Sequence, residues 1–446
     1  MVNLFIKNTL FLTLFLIISC GNSKETQDTS IGKATDSIES GELAFAKANL
    51  RGSRPTGEQS GKAQTSNSTS VAPNEIIVGA NQTEKYLPLL KGKRVGIITN
   101  PSGLLFKTYP HHKNESSHIV DSLLQREINV VKVFSPEHGF RGTADAGENI
   151  KDSKDLTTGL PIISLHGKNK KPTQEQLHNL DILLFDIQDV GVRFYTYIST
   201  LTYVIEAAAE KGIPIIVLDR PNPNAHYIDG PTLESEHSSF LGMHPVPLVY
   251  GMTIGEYAQM LVGEQWIDHA NKATLTVIPL TNWSRESKYS LPVRPSPNLP
   301  NDKSINLYPS LGFFEGTHIN AGRGTEMQFQ IFGSSKLPDS FFPFQYTPQP
   351  NFGSKNPKEK GKLCQGLDLR TTQYMQRVNL EWLIEAYTGY TDKENFFKTA
   401  SFTLHAGNTS LQKQIEEGYT FKEIKRSWIK DIEDFKKIRS KYLLYL

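Results

Sequence analysis

Two runs in this chain, Ile182-Leu183-Leu184-Phe185 and Ile215-Ile216-Val217-Leu218, are apolar at every position. A strand with one wet face alternates apolar and polar residues. A strand apolar on both faces needs cover on both, as in a parallel sheet clothed by crossover helices. The chain repeats this theme from about Asn74 onward. Strands are predicted at residues 94–99, 130–134, 161–165, 181–186, 214–219 and 275–279. Helical periodicity falls between them at 118–126, 173–179, 197–211 and 253–263. This alternation predicts an α/β fold with a doubly wound, mostly parallel sheet.

Ligands of such sheets bind beyond the carboxyl ends of the strands. The polar residues at those ends are Asn100-Pro101-Ser102-Gly103, Ser135-Pro136-Glu137-His138-Gly139-Phe140-Arg141-Gly142, the stretch from Asp186 and Asp189 to Arg193 and Tyr195, and Asp219-Arg220-Pro221-Asn222-Pro223-Asn224. No Gly-x-Gly-x-x-Gly fingerprint or phosphate loop accompanies them, so no nucleotide cofactor is expected. No Gly-x-Ser-x-Gly elbow is present either, which counts against a serine hydrolase. His111-His112 has no partner at metal-ligand spacing, and no metal is expected. The formal net charge is +2 with both signs dispersed, which sets a nucleic-acid surface aside.

After residue 290 the pattern changes to a proline-rich stretch at 293–300, short strand-like runs, and helices at 380–387 and 430–443. A smaller α+β domain over 291–446 is therefore expected behind an α/β domain over 74–290. Near the junction lies Phe314-Glu315-Gly316-Thr317 followed by Gly322-Arg323-Gly324-Thr325-Glu326. Its glycines mark tight turns or close backbone approach.

Glycoside hydrolysis usually takes two carboxyl groups, one of them protonated to act as general acid. Glu137 suits the acid, since it follows a buried strand beside Phe134, Pro136 and Phe140, where desolvation favours the neutral form while His138 and Arg141 oppose or tune that shift, so its net sign is not read from sequence. Glu315 is the best second carboxylate, with Glu326 as its rival and Asp186 and Asp189 as further options. Each of these acids is equally readily a helix cap or an arginine's partner. Arg141, Arg193, Arg220 and Arg323 accompany them, and a planar guanidinium can grip a ligand carboxylate with two parallel bonds. Pairing with Asp186, Asp189 or Asp219 is the competing use. Tyr195 and Tyr197 can stack on a sugar, and Asn222 and Asn224 either bond hydroxyls or shape a turn.

The N-terminus carries Lys7, an apolar stretch from Leu10 to Ile18, and then Ser19, Cys20 and Gly21. The stretch is short for a permanent span and reads as a secretion signal over residues 1–19. Ile17-Ile18-Ser19-Cys20 resembles a bacterial lipobox, which implies acylation of Cys20 and attachment to a membrane through lipid alone, with the periplasm as the expected side. Residues 20–73 are rich in Ser, Thr, Gly, Lys, Glu and Gln and read as a disordered tether. The chain has two cysteines, so a lipidated Cys20 leaves Cys364 without an intramolecular partner.

Taken together, the run Gly96-Ile97-Ile98-Thr99-Asn100-Pro101, the Pro136-Glu137-His138-Gly139 loop, the segment from Asp186 to Tyr195, the turn Asp219-Arg220-Pro221-Asn222-Pro223, and Glu315-Gly316-Thr317 with Gly322-Arg323-Gly324-Thr325 resemble the NamZ-type exo-β-N-acetylmuramidases. The similarity runs from about Asn74 to Leu446. It implies a Rossmann-like domain followed by a smaller one, release of N-acetylmuramic acid from the non-reducing ends of peptidoglycan fragments, and no cofactor. Carried over by position, Glu137 is the general acid and Glu315 the second carboxylate. Asn100, His138, Arg141, Asp186, Asp189, Arg193, Tyr195, Asp219, Arg220, Asn222, Arg323 and Glu326 become binding-site candidates. Two further readings use the same residues. A muropeptide-binding lipoprotein needs the arginines but no poised Glu137, and a cell-wall esterase or amidase would have only Ser135 and His138 as nucleophile and base.

Overall fold

The computed structural model describes residues 75–106, 116–141 and 152–445. The signal, the lipobox Cys20, the tether, His111-His112 and Gly142 lie outside the described residues. Within them, no helix is long and apolar enough to cross a membrane.

The first half runs α1 (Thr83–Leu90), β1 (Val95–Thr99), β2 (Leu104–Phe106), β3 (Ser116–His118), α2 (Ile119–Gln125), β4 (Val130–Ser135), β5 (Ser153–Lys154), β6 (Pro161–Ser164), β7 (Ile182–Asp186), α3 (Tyr197–Lys211), β8 (Ile215–Leu218), β9 (Asp229–Thr232), β10 (Pro247–Val249), α4 (Ile254–Gly263) and β11 (Leu275–Ile278). Seven of these strands form one sheet in the order β11-β8-β7-β1-β4-β6-β5. Its neighbours are parallel except at the β5 edge. Leaving out that edge strand, the order in chain terms is 3-2-1-4-5-6, the doubly wound Rossmann-like arrangement, and its switch point falls between β1 and β7.

Side-chain alternation explains why the strands are apolar throughout. Val95 and Ile97, Ile182 and Leu184, and Ile216 and Leu218 point into one core cluster with Tyr86 and Leu90 of α1 and Leu123 of α2. Ile98, Leu183 and Phe185, and Ile215 and Val217 point into the other with Leu201 and Ile205 of α3 and Tyr257 and Leu261 of α4. Residues 173–179 form turns instead of the expected helix. That segment offers only seven residues and buries just Leu177 fully, too little apolar face to hold a helix by packing.

The second half contains α5 (Asp302–Leu311), β12 (Ile331–Ser334), β13 (Phe344–Tyr346), β14 (Cys364–Asp368), α6 (Glu381–Gly389), α7 (Thr399–Ala406), α8 (Ser410–Glu416) and α9 (Phe421–Arg439). The last three strands make an antiparallel sheet in which Cys364 is buried with a free thiol. Helix α9 begins nine residues before the predicted 430, because Thr420 and Glu423 close a capping box there. Phe313, Phe332, Phe402 and Trp428 belong to the same apolar cluster as the α3 face of the large sheet, so the second half completes the core of the first.

At the switch point the Arg220 guanidinium bonds both oxygens of Asp186, at 2.6 and 2.9 Å, and Nη2 also reaches the Leu104 carbonyl at 3.1 Å. Both side chains are shielded, at 2% and 0% exposure. Arg220→Met strands the Asp186 charge and should cost on the order of 3–5 kcal/mol in denaturant unfolding, whereas the double change Asp186→Leu/Arg220→Met should recover most of that loss.

Candidate active site

Glu137 stands on a turn that the backbone holds under constraint. β4 ends at Ser135, and Gly139 N bonds Pro136 O at 3.2 Å. His138 sits at φ 72° and Gly139 at φ 78°. A left-handed histidine is uncommon and is maintained only where its surroundings require it. The Glu137 carboxylate accepts a hydrogen bond from Thr196 Oγ1 at 3.2 Å, and its carbonyl accepts one from the Tyr197 hydroxyl at 3.4 Å. Thr196 and Tyr197 open α3, so that helix's first residues orient the acid.

Glu315 arrives from the second half. After α5 the chain makes a tight helical turn over Gly312–Gly316, with Phe313 and Phe314 buried beneath it and Phe314 stacked on Phe332 at 4.8 Å. The Glu315 side chain is 24% exposed and lies 3.3 Å from Arg323 Nε. Burial pushes its carboxyl upward, but Arg323 and Lys358 outweigh that and hold it below the usual range. Lys358 Nζ donates to the carbonyls of Phe314 at 2.7 Å and Glu315 at 3.0 Å. Its own pKa is drawn down to about 8, chiefly by burial, with Glu315 opposing the fall. Asn320 fastens this corner. Its Nδ2 donates to the carbonyls of Arg323 and Lys358 while its Oδ1 accepts from Gly322 N. A Cβ on Gly322 would come within 2.4 Å of Met327 O, at φ 77°, so glycine is required for that turn.

Tyr308 is raised far above the ordinary phenol range, chiefly by burial, with Glu315, Glu137 and Asp189 adding to the rise and Arg323 opposing it. A cavity of about 480 Å³ opens at the turn after β4, and its wall includes Asn100, Ser102, His138, Tyr197, Arg141 and Arg294. His138 and Tyr197, which flank or contact Glu137, line it, whereas neither Glu137 nor Glu315 is part of that wall.

Several expected ligand contacts are corrected by this geometry. Arg193 is fully buried, and its guanidinium donates to the carbonyls of Pro231, Val246, His405 and Ala406 at 2.6–3.1 Å. It closes the last turn of α7, where helix carbonyls lack partners. Arg220 and Asp186 are consumed by their mutual ion pair. Asp219 accepts from Thr253 Oγ1, Gly255 N and the Tyr445 hydroxyl, which anchors the start of α4 and the C-terminal end, and burial pushes its pKa to about 7. Asn222 bonds Met252 O and Asn224 N, shaping the proline turn. It also lies so close to Gly191 that a Cβ there would meet its Oδ1 at 2.2 Å. Asp189 accepts from the Tyr250 hydroxyl and Gly191 N, with its pKa raised by burial to about 6. Tyr195 is buried and donates to Pro295 O at 2.5 Å, so it is a support and not a stacking platform. Arg141 does border the cavity, yet it forms ion pairs with Asp121 at 3.1 Å and Asp155 at 2.8 Å, which leaves it neutralised. Glu326 is exposed, while Asn100 and His138 line the cavity as expected.

Sequence reasoning did not single out Thr196, Tyr308, Asn320 or Lys358. Thr196 had a usable signal, since it directly precedes the predicted helix at 197–211, whereas Tyr308 lies in α5, which the sequence pattern did not predict. Lys358 had none, because it lies 43 residues from its partner Glu315 in a polar loop.

Family models for the N-terminal and C-terminal parts of exo-β-N-acetylmuramidase NamZ match residues 95–303 and 306–445. The peptidoglycan β-N-acetylmuramidase NamZ of Bacillus subtilis (strain 168) is 42% identical over 379 residues, spanning 81% of this chain and 89% of that protein. Two crystal structures of DUF1343 family proteins from Bacteroides fragilis NCTC 9343 share the fold. One has a TM-score of 0.75 at 42% identity and the other 0.71 at 28%, each covering 83% of this chain and 99% of its own. The chain belongs to the NamZ exo-β-N-acetylmuramidase family.

Proposed function

We propose that this chain is a peptidoglycan exo-β-N-acetylmuramidase in which Glu137 protonates the leaving oxygen and Glu315 acts as the anionic carboxylate. The observation that carries the assignment is the contrast between two glutamates in opposite surroundings. Glu137, whose neighbour His138 lines the cavity, accepts from the neutral Thr196 hydroxyl, whereas Glu315 is held ionised by Arg323 and Lys358. Carboxyl groups whose environments differ in this way can divide acid and anion roles at one pH.

With the terminal sugar in the cavity, a proton on Glu137 passes to the glycosidic oxygen as the bond to the anomeric carbon breaks. Glu315 contributes negative charge to the oxocarbenium-like transition state, and water then adds to the anomeric carbon as its proton returns to the Glu137 carboxylate. Glu137→Gln should lower kcat/KM on a chromogenic N-acetylmuramic acid glycoside on the order of a hundredfold or more, measured beside release of N-acetylmuramic acid from the disaccharide with N-acetylglucosamine. Near wild-type rates in that variant refute the acid assignment, and no release by the wild type refutes the activity.

Lys358 favours the ionised form of Glu315. In Lys358→Met that support is gone, so the Glu315 pKa rises, and the acid limb of the kcat/KM profile should move to higher pH. An unmoved limb contradicts the role given to Glu315.

Export and lipid attachment belong to the same proposal, supported by Lys7, the apolar stretch from Leu10 to Ile18, and Cys20 in its lipobox-like setting. Acylation supplies the affinity that a lone short leader lacks. The full chain expressed in a bacterial host should incorporate labelled palmitate and sediment with membranes, and Cys20→Ser should abolish both.

A further inference from the structure

The reading above leaves one chemical question at the site. N-acetylmuramic acid differs from N-acetylglucosamine by a lactyl ether that ends in a carboxylate, and a muramidase gains discrimination by pairing that anion. Three arginines near the strand ends are occupied. Arg193 is closed in among carbonyls, Arg220 is locked to Asp186, and Arg141 is paired with Asp121 and Asp155. Arg323 lies against Glu315.

Arg294 is in a different situation. It lines the cavity beside Asn100 and His138, is exposed, and among the described residues has no carboxylate within ion-pair distance. Its position is nevertheless well defined. The next residue, Pro295, receives hydrogen bonds on its carbonyl from the Tyr195 hydroxyl at 2.5 Å and the Tyr197 hydroxyl at 3.4 Å. Pro292, Pro297 and Pro300 stiffen the rest of the segment. The Tyr197 hydroxyl that bonds Pro295 O also contacts the carbonyl of Glu137 at 3.4 Å. One phenol thus contacts both the carbonyl that follows Arg294 in the chain and the carbonyl of the acid. The opposing charge in the wall, Asp302, accepts from the Ser290 hydroxyl at the start of α5.

We propose that Arg294 is the specificity-determining residue that binds the lactyl carboxylate of the terminal sugar, an inference that rests on the muramidase reading. A guanidinium without an internal partner keeps its donors for the ligand, and its planar fork can hold a carboxylate by two parallel bonds. Preorganisation of the segment reduces the ordering cost on binding.

The test compares calorimetric binding of N-acetylmuramic acid and of its lactyl amide, which has the same shape without the charge, to wild type, Arg294→Gln and Arg294→Lys. The wild type should prefer the acid roughly ten- to a hundredfold. In Arg294→Gln that preference should vanish while affinity for the amide stays unchanged, and Arg294→Lys should restore part of it by charge alone. A preference that survives in Arg294→Gln overturns the proposal, as does a wild type that binds acid and amide equally. Hydrolysis of the chromogenic muramic glycoside by the wild type, run in parallel, judges the muramidase reading separately. Turnover with a failed Arg294 comparison leaves that reading standing and removes only this assignment.

Discussion

A single buried cation holds the two halves of this enzyme in register. Arg193 has no carboxylate partner among the described residues, and it spends its donors on four carbonyls drawn from three separate stretches. Two belong to the segments around β9 and β10, and two are the terminal carbonyls of α7. Helix α7 in turn backs the turn that carries Glu315, since Lys398 N bonds Gly316 O and a Cβ on Gly316 would meet the Phe402 backbone at 2.4 Å. Burial draws the Arg193 pKa down to about 9, which still leaves the cation in place at neutral pH. A cation buried among carbonyls trades lost hydration for oriented dipoles, and this trade succeeds only when every carbonyl is already in place. The arrangement of Glu315 relative to Glu137 therefore depends on a residue that touches neither.

The same economy recurs at the strand ends. In a doubly wound sheet the switch point is where a ligand would be expected, but here Arg220 and Asp186 fill it with an ion pair and Gln188 bonds the Asp189 and Pro221 carbonyls beside it. The cavity is displaced toward β1 and β4, where Asn100 and His138 meet the proline-rich segment from the second half. Polar residues at the neighbouring ends serve as a rigid frame. The proposed acid, Glu137, sits where the frame meets the turn after β4.

Much of the fold is legible from residue pattern, because burial on both faces leaves a direct trace in composition. Helix α3 covers the predicted span, and the central strands fall within a residue or so of their expected limits. Residues 173–179 mislead because a short helical period there lacks an apolar face large enough to pack. The start of α9 is missed because its capping box lies upstream of the strongest charge pattern. The site is harder to read. An arginine looks the same in sequence whether it pairs with an aspartate 14 or 34 residues away or with a ligand, and only the three-dimensional contacts separate Arg141 and Arg220 from Arg294. Glu137 and Glu315 stand out because each follows a buried apolar stretch next to glycines that impose a turn. Lys358 and Tyr308 gain their roles through contacts that no local spacing encodes.

The central claim is that the glycosidic bond lies between Glu137 and Glu315. A crystal structure of the Glu137→Gln variant with the disaccharide of N-acetylmuramic acid and N-acetylglucosamine tests it most directly. The account predicts the glycosidic oxygen within hydrogen-bond reach of the side chain at position 137 and the anomeric carbon turned toward Glu315. A disaccharide seated in the cavity with its glycosidic bond remote from both positions would contradict it.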